Sequence, residues 1–450
     1  MINPTEIELL QSALARLSEG FDALPDFETD FDVDATAEVL QQVATRMQDN
    51  YPYYHPQYVG QMLKPPHPVA RIAYALSLWV NPNNHALDGG RASSAMEKEC
   101  IVELGEMFGW TRPLGHLTGG GTMANLEALW VARQLRPGQR VIASEQAHYT
   151  HKRICEVLGI PFTTIRSTDD GRMDMGHLED LLHAGDVGTI VATIGNTGFG
   201  DVDPLPAILD IRDKYDVRIH ADAAYGGYFG LAEQLGRDAR HAYDRLGEAD
   251  SIVIDPHKHG LQPYGCGCVL FRDPADGRFY KHESPYTYFS SAELHLGEIS
   301  LECSRAGASA VALWATHRLL PPVKGGEFAA GLDNCLLAAR EFHDRLSKSA
   351  AFVPLMPPEL DIVVYAVQAP DTVAATAGAR EVFESAARDD LHLAMVELPA
   401  RLVCHYAQGV QKNSETVTCL RSVLMKPEHG DWLDPIMAIL ERAARCSTAA

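Results

Sequence analysis

A lysine, a carboxylate and a glycine-rich turn, each placed beside a short apolar run, are the groups in this chain with types and spacing suited to chemistry. Lys258 follows the β-branched run SIVI at 251–254, which reads as a buried strand that Pro256 ends. A Gly/Pro-rich turn and a second apolar run at 266–271 come next, so the lysine stands at the mouth of a strand–turn–strand unit. Taken alone it is a solvated loop charge, as most lysines are; placed in a cleft it is a primary amine able to condense with an aldehyde. Upstream, LTGGGTMAN at 117–125 runs into the amphipathic LEALWVARQL. Gly119, Gly120 and Gly121 leave backbone N–H groups uncovered where a helix begins at or near Thr122, whose hydroxyl can cap it or bind a ligand oxygen. That is an anion cradle, although no Gly-Lys-Ser/Thr follows it and the spacing is not that of a dinucleotide fingerprint. The carboxylate is Asp222, in HADAAYGG at 220–227.

The elements that must bring these groups together are legible as an alternation. Short β-branched runs near 140–144, 161–166, 189–194, 217–221 and 251–254 alternate with helical segments near 150–158, 176–184, 205–215 and 233–247. This predicts an α/β fold with a mainly parallel sheet, in which ligands bind at the carboxyl ends of the strands. The unusual residues fall at those ends: SEQAH closing on His148, Gly195-Asn196-Thr197, the Asp222 motif, and DPHK closing on Lys258. A lone histidine there is an ordinary loop residue and a lone aspartate an ordinary helix cap. Such clusters after successive strands, with a cradle beside them, point to one site.

Around this region, 94–108 reads as a helix with Ser94 and Glu97 as a capping box and Ile101, Leu104 and Phe108 on one face. Helical spacing over 5–20 and 35–48, joined by the acidic FETDFDVD, predicts an arm. The segment 51–68 (YPYYHPQYVGQMLKPPHP) is too rich in proline for a helix and too aromatic for disorder, so it lines a pocket or packs at a subunit interface. Beyond 320, short strands at 362–366, 401–405 and 416–424 among helices predict an α+β unit closing over the site. The expected division is therefore a helical and extended arm at 1–68, a large domain at 69–319 and a small C-terminal domain at 320–450.

Composition narrows the function class. With 450 residues, 46% hydrophobic, the chain exceeds a single core. A net charge of −22 repels phosphate backbones and argues against nucleic-acid binding. There is no run of about 18 apolar residues and no basic, then apolar, leader, so neither a membrane span nor a signal peptide is expected and the location is cytoplasmic. Nine scattered cysteines fit reduced thiols, and Cys266-Gly-Cys268 lacks the spacing and second pair of a metal site, so no metal is expected.

A phosphate cradle, a carboxylate past one strand and a lysine past a later one are what pyridoxal 5'-phosphate requires. The amine forms a Schiff base with the aldehyde, the carboxylate keeps the pyridine nitrogen protonated, and the cradle holds the phosphate; an imidazole such as His148 can stack on the ring, and Thr197 can contact it. The motifs LTGGGTMANLEAL, SEQAHYTHK, GNTGFGDVDPL, HADAAYGG and DPHKHGLQP, in this order, with HALDGGRASSAMEKE and SLECSRAGASAVALW flanking them, resemble the group II pyridoxal-dependent amino-acid decarboxylases of fold type I from about residue 55 onward. Gly119 and Met123 stand where that family more often has a hydroxyl and an acid, and Asn196 replaces a threonine. The Lys-x-Gly-x-x-Pro form is closer to archaeal-type tyrosine or aspartate decarboxylases and to phosphate-substrate aldehyde lyases than to the animal aromatic enzymes.

The resemblance implies Lys258 as the Schiff-base lysine, Asp222 as the pyridinium partner and His148 as the stacking residue. It implies Gly120, Gly121 and Thr122 at the phosphate, Thr197, Ala224 and His257 around the ring, and a homodimer with sites at the interface. The implied reaction is decarboxylation of an L-amino acid to its amine. A carbon–carbon (aldehyde) lyase, an aldehyde-forming oxidative decarboxylase and, more remotely, a non-catalytic cofactor-binding regulator remain as alternatives. Tyr53, Tyr54, Tyr58 and Met62 would suit an aromatic substrate, and Arg305 or Arg421 an acidic one. In SPYTYFSS at 284–291, a loop by composition, the family's proton-donating tyrosine corresponds to Tyr288 in preference to Tyr286.

Overall fold

The computed structural model describes residues 3–25, 27, 29–281 and 300–447. The larger sheet is built from β1 (Leu114–Thr118), β2 (Arg140–Ser144), β3 (Phe162–Ile165), β4 (Val187–Thr193), β5 (Arg218–Asp222), β6 (Ser251–Ile254) and β7 (Gly267–Phe271), in the order β1-β7-β6-β5-β4-β2-β3. Strands β2 to β6 pair in parallel, and β4 is buried at every position, as a strand covered on both faces requires. Because β7 is antiparallel to both β6 and β1, β1 regains the direction of the others. The cradle that follows β1 therefore opens on the same edge as the loops after β2, β4, β5 and β6. Register levels those ends: Thr193 lies opposite Asp222, and Asp222 opposite Val253.

The second sheet, β8 (Phe352–Pro354), β9 (Ile362–Val367), β10 (Ala394–Pro399) and β11 (Thr416–Val423), is antiparallel in the order β10-β11-β9-β8. Alternate residues of β9 serve two cores: Ile362, Val364 and Ala366 join the main one, while Val363, Tyr365 and Val367 join a second with Phe342, Val382 and Leu440 from covering helices. The period of two thus welds the C-terminal layer to the large sheet. Residues 401–405, expected to be a strand, form the helix Ala400–Tyr406. Pro399 ends β10 and has no N–H to extend a ladder, and the consecutive Leu402 and Val403 are both buried, which one face of a strand cannot achieve.

The arm consists of helices Pro4–Glu19 and Val33–Met47, the second capped by Asp32 from the acidic segment through its bond to the Ala35 N–H. The first is held by a bidentate Arg71–Glu6 pair at 2.7 and 2.6 Å. The second buries no residue and leaves Val39, Leu40, Val43 and Met47 exposed. In the segment 51–68, Tyr58 and Val59 are buried within this chain, and the Val59 backbone bonds His392 and Val423 of the C-terminal layer.

Glu97 corrects the expected capping box. The helix runs Arg91–Met107 from Gly90, so Ser94 and Glu97 lie inside it, both buried. Glu97 pairs with Arg305 at 2.8 Å and accepts the Leu117 N–H, while Arg305 donates to the Leu117 carbonyl at 2.7 Å. This clamp pins the end of β1, and with it the cradle, and it occupies Arg305 in structure instead of leaving it for an acidic substrate. Removing one member of a buried pair strands the other's charge, at a cost of about 3–5 kcal/mol. Arg305→Met is therefore expected to lose stability of that order in urea unfolding of the apoprotein; a loss under about 1 kcal/mol would contradict the clamp.

Candidate functional site

The loops at the level strand ends enclose a cavity of about 590 Å³. Its floor is the cradle. Helix Gly121–Leu135 starts from Gly120 at φ 154°, a conformation that favours glycine, with no side-chain cap, so Thr122 lies within the first turn instead of capping it. The first N–H groups of a helix have no intrahelical acceptor, and the residues that carry them here, Gly121, Thr122 and Met123, line the cavity. A Cβ on Gly267 of β7 would stand 2.5 Å from the Gly120 carbonyl carbon, so the absence of a side chain there lets the cradle settle on the sheet.

His148, Thr197, Asp222, Ala224, His257 and Lys258 line the cavity together with Gly120, Gly121 and Thr122. The structure thus gathers around one cavity every site residue expected from sequence except Tyr288, which lies with 284–291 outside the described residues. Lys258 projects its amine 3.0 Å from Asp255 Oδ2. The Cys266 N–H donates to His257 Nδ1, which places the His257 proton on Nε2, 3.5 Å from the same Asp255 oxygen. Behind this loop His259, next to the lysine, lies 3.1 Å from Asp361, and Tyr225, next to Ala224, donates its hydroxyl to Asp361. One buried carboxylate just ahead of β9 therefore steadies both the lysine loop and the Asp222 loop.

Asp222 is buried, with Oδ1 accepting the Ala224 N–H at 3.2 Å and Oδ2 2.8 Å from His151 Nε2. Burial by itself would raise its pKa; the His151 hydrogen bond and the favourable electrostatics of His151 and Lys258 outweigh that and hold it well below the usual carboxylate range. Burial pushes His148 down, with Asp222 acting partly against it, and drives His220 down to about 3. His220 is satisfied as a neutral ring. Asn125 uses its Nδ2 on the Gly121 carbonyl, so its Oδ1 accepts from His220 Nε2, and Ser251 Oγ donates to Nδ1.

Sequence reasoning singled out no role for Asp255, His151 or Glu302. Asp255 and His151 stand within motifs read from the sequence, but only the fold shows what they face. Glu302 accepts the Gly119 N–H at 2.8 Å from far along the chain, with no local signal. Of the arginines weighed for an acidic substrate, Arg421 on β11 is buried, bonds Gln61 Oε1 at 3.4 Å, and has Nε and Nη2 without a partner among the described residues. Tyr58, weighed for an aromatic one, is enclosed by Tyr53 edge-on at 4.9 Å and takes the Gln61 N–H on its hydroxyl.

The donor set fits pyridoxal phosphate: a helix N-terminus for the phosphate, an amine for the aldehyde, and a carboxylate of lowered pKa in the same cavity for a ring N–H. Among the described residues the cavity offers no cluster of metal ligands. The sequence profile described as pyridoxal-dependent decarboxylase conserved domain matches residues 17–368. An L-tyrosine decarboxylase of Enterococcus faecium is 26% identical over 80% of this chain and 76% of its own length. A probable L-aspartate decarboxylase of Halobacterium salinarum is 33% identical over 59% of this chain and 71% of its own. The crystal structure of Oryza sativa TDC with PLP and tryptamine superposes with a TM-score of 0.79 at 18% identity, covering 99% of this chain and 98% of that one.

The depressed pKa of Asp222 has a stability consequence with a definite sign. Its ionised form is favoured by the fold, so the stabilisation is present above its unfolded value of about 4 and is lost as pH falls below that. Urea unfolding of the apoprotein from pH 5 to pH 3 should show a steeper loss for wild type than for Asp222→Asn. Parallel curves would mean that the fold does not favour the carboxylate.

Proposed function

The chain belongs to the group II pyridoxal-dependent decarboxylases, lyases that work with pyridoxal phosphate, and from that premise we propose that it removes the α-carboxyl group of an L-amino acid, with an acidic side chain as the preferred substrate, to give the amine. The carrying observation is that Asp222, at the end of β5, and Lys258, in the loop after β6, line one cavity with the cradle. Bound pyridoxal phosphate supplies an aldehyde and an electron-withdrawing ring. Gly120, Gly121 and Thr122 would hold its phosphate, and His148 would lie against the ring. Asp222 would hold a proton at the ring nitrogen, and Thr197, Ala224 and His257 would contact the ring. Lys258 offers its amine, with Asp255 beside it able to hold the ammonium proton until the amine is needed.

The preference for an acidic substrate rests on Arg421, a buried guanidinium whose Nε and Nη2 have no partner among the described residues. Burial pushes the Arg421 guanidinium down from its usual value, and the Asp361 carboxylate acts partly against that. The route from the lysine to it is short in contacts: the His257 and Tyr264 rings are 4.7 Å apart, Tyr264 donates to the Met62 carbonyl, and the adjoining Gln61 meets Arg421. Tyr58, closed by its neighbours, leaves the aromatic reading with less support.

A homodimer completes the proposal. The exposed Val39, Leu40, Val43 and Met47 on an arm helix that buries nothing are an apolar stripe suited to a second copy, and monomeric elution on a calibrated column would refute it. The division into an arm at 1–68, a large domain at 69–319 and a small domain at 320–450 is kept, with limited proteolysis at these boundaries as its check. The cysteines from Cys100 to Cys419 are free and no described helix is long and apolar enough to cross a membrane; the proposed cytoplasmic location is tested by cell fractionation.

Carbon dioxide and product analysis over the twenty amino acids tests the reaction and the substrate together. Aspartate or glutamate should release carbon dioxide with retained amine, and Arg421→Met should lower kcat/KM for that substrate about 10- to 100-fold, the worth of a charge-assisted hydrogen bond. Turnover of tyrosine alone would replace the acidic reading with the aromatic one, and aldehyde with ammonia would favour the oxidative alternative. Tyr288 remains the proposed donor of the proton that Cα receives. Tyr288→Phe should still release carbon dioxide but yield little amine, and a normal amine yield would remove it from that role.

A further inference from the structure

We propose that His151 is a positioning residue for the pyridinium end of this site, its Nε2–H holding one oxygen of Asp222 so that the carboxylate keeps its remaining lone pairs turned to the cofactor ring nitrogen. The proposal rests on the reading of Asp222 given above and adds to it the group that sets that carboxylate. His151 reaches Asp222 from a different element, the first turn of helix Thr150–Leu158, and its side chain is only 1% exposed. A carboxylate only accepts, so the proton in the 2.8 Å contact belongs to His151 Nε2. Nδ1 is buried with no partner among the described residues.

That unpartnered nitrogen separates His151 from an ordinary core histidine. His220, on the strand of Asp222 itself, has both ring nitrogens satisfied, by Asn125 and Ser251, and ties the strand to the cradle helix. His151 has one polar target, and a leucine or phenylalanine would fill its place without a buried nitrogen left bare. What an apolar residue cannot supply is the N–H to Oδ2. The other charged or titratable groups facing Asp222 are His148 from the loop after β2, His220 from β5 and Lys258 from the loop after β6. None of these has a recorded hydrogen bond to the carboxylate among the described residues.

With Oδ1 engaged by the Ala224 N–H and Oδ2 by His151, the carboxylate cannot rotate about its last bond without losing both contacts. The proton shared with the ring then resides on the ring nitrogen, and Asp222 remains the carboxylate throughout. Without His151 the carboxylate turns more freely and binds a proton more readily, so it holds the ring nitrogen less firmly. Groups that orient a ligand through its hydrogen-bond partner commonly change affinity about 10- to 100-fold.

The test uses wild type, His151→Gln and His151→Leu, each stripped and titrated with pyridoxal phosphate. Glutamine can return an N–H near the Nε2 position, whereas leucine fills the space without a donor. Leucine should weaken cofactor binding about tenfold or more and shift the pH midpoint of the bound cofactor's visible absorbance, while glutamine stays within about threefold of wild type on both measures. Wild-type affinity and titration in the leucine variant would overturn the proposal, as would equal impairment of both variants, which would make ring volume the relevant property. Should the leucine variant not fold, the histidine ring resonances of the nitrogen-labelled wild type decide. A protonated Nε2 on His151 that moves on cofactor addition supports the proposal, and an unprotonated or unresponsive one overturns it. Borohydride reduction of the wild type keeps the two levels apart: a missing reducible link defeats the site reading and the proposal with it, whereas an intact link with an indifferent leucine variant defeats only the role of His151.

Discussion

The parallel ladder in which Thr193, Asp222 and Val253 stand opposite one another is the constraint on which this site depends. Side chains in a parallel sheet cannot slide singly, so once the buried β-branched strands are in register, the loops that follow them start from one level. That turns four sequence-distant motifs into one cavity wall. The reversal at β7 adds the fifth piece, since only by returning β1 to the common direction does the cradle face the lysine.

Buried charge then fixes the loops that the ladder has brought together. Asp361 steadies the neighbours of both Lys258 and Ala224, and Glu97 with Arg305 anchors the strand that leads into the cradle. These groups carry no chemistry of their own in this account. Their energetic weight comes from desolvation: a buried carboxylate without its partner is costly, so each pair admits one geometry and imposes it on the loop beside it. The C-terminal layer contributes to the site in this way, through Asp361, without supplying a strand end.

Strands β2 to β6 could be read from the sequence because each is a compact run carrying β-branched residues, and the residues after them stood out by type. β1 could not, since LGHLT carries a glycine and has no β-branched residue before its last; its membership is decided by pairing with β7, far along the chain. The segment 401–405 looked extended because its apolar residues are adjacent, but burial on a helix joined to Pro399 accounts for them better. Glu97 fitted a capping box by spacing, and only its ion pair with Arg305 reveals its task. The site itself was legible in residue identity, while the partners that tune it were not. His151 stands three residues from His148, yet the carboxylate it holds comes from another strand, and no local pattern encodes such a contact.

The central claim is that Lys258 is the group to which the cofactor aldehyde is joined. Borohydride reduction of the purified holoprotein, followed by proteolysis and mass mapping of the pyridoxyl-bearing peptide, tests it directly. The account predicts a single labelled peptide containing Lys258, and no label in Lys258→Ala under the same treatment. A label on another lysine, or one that persists in that variant, would contradict it.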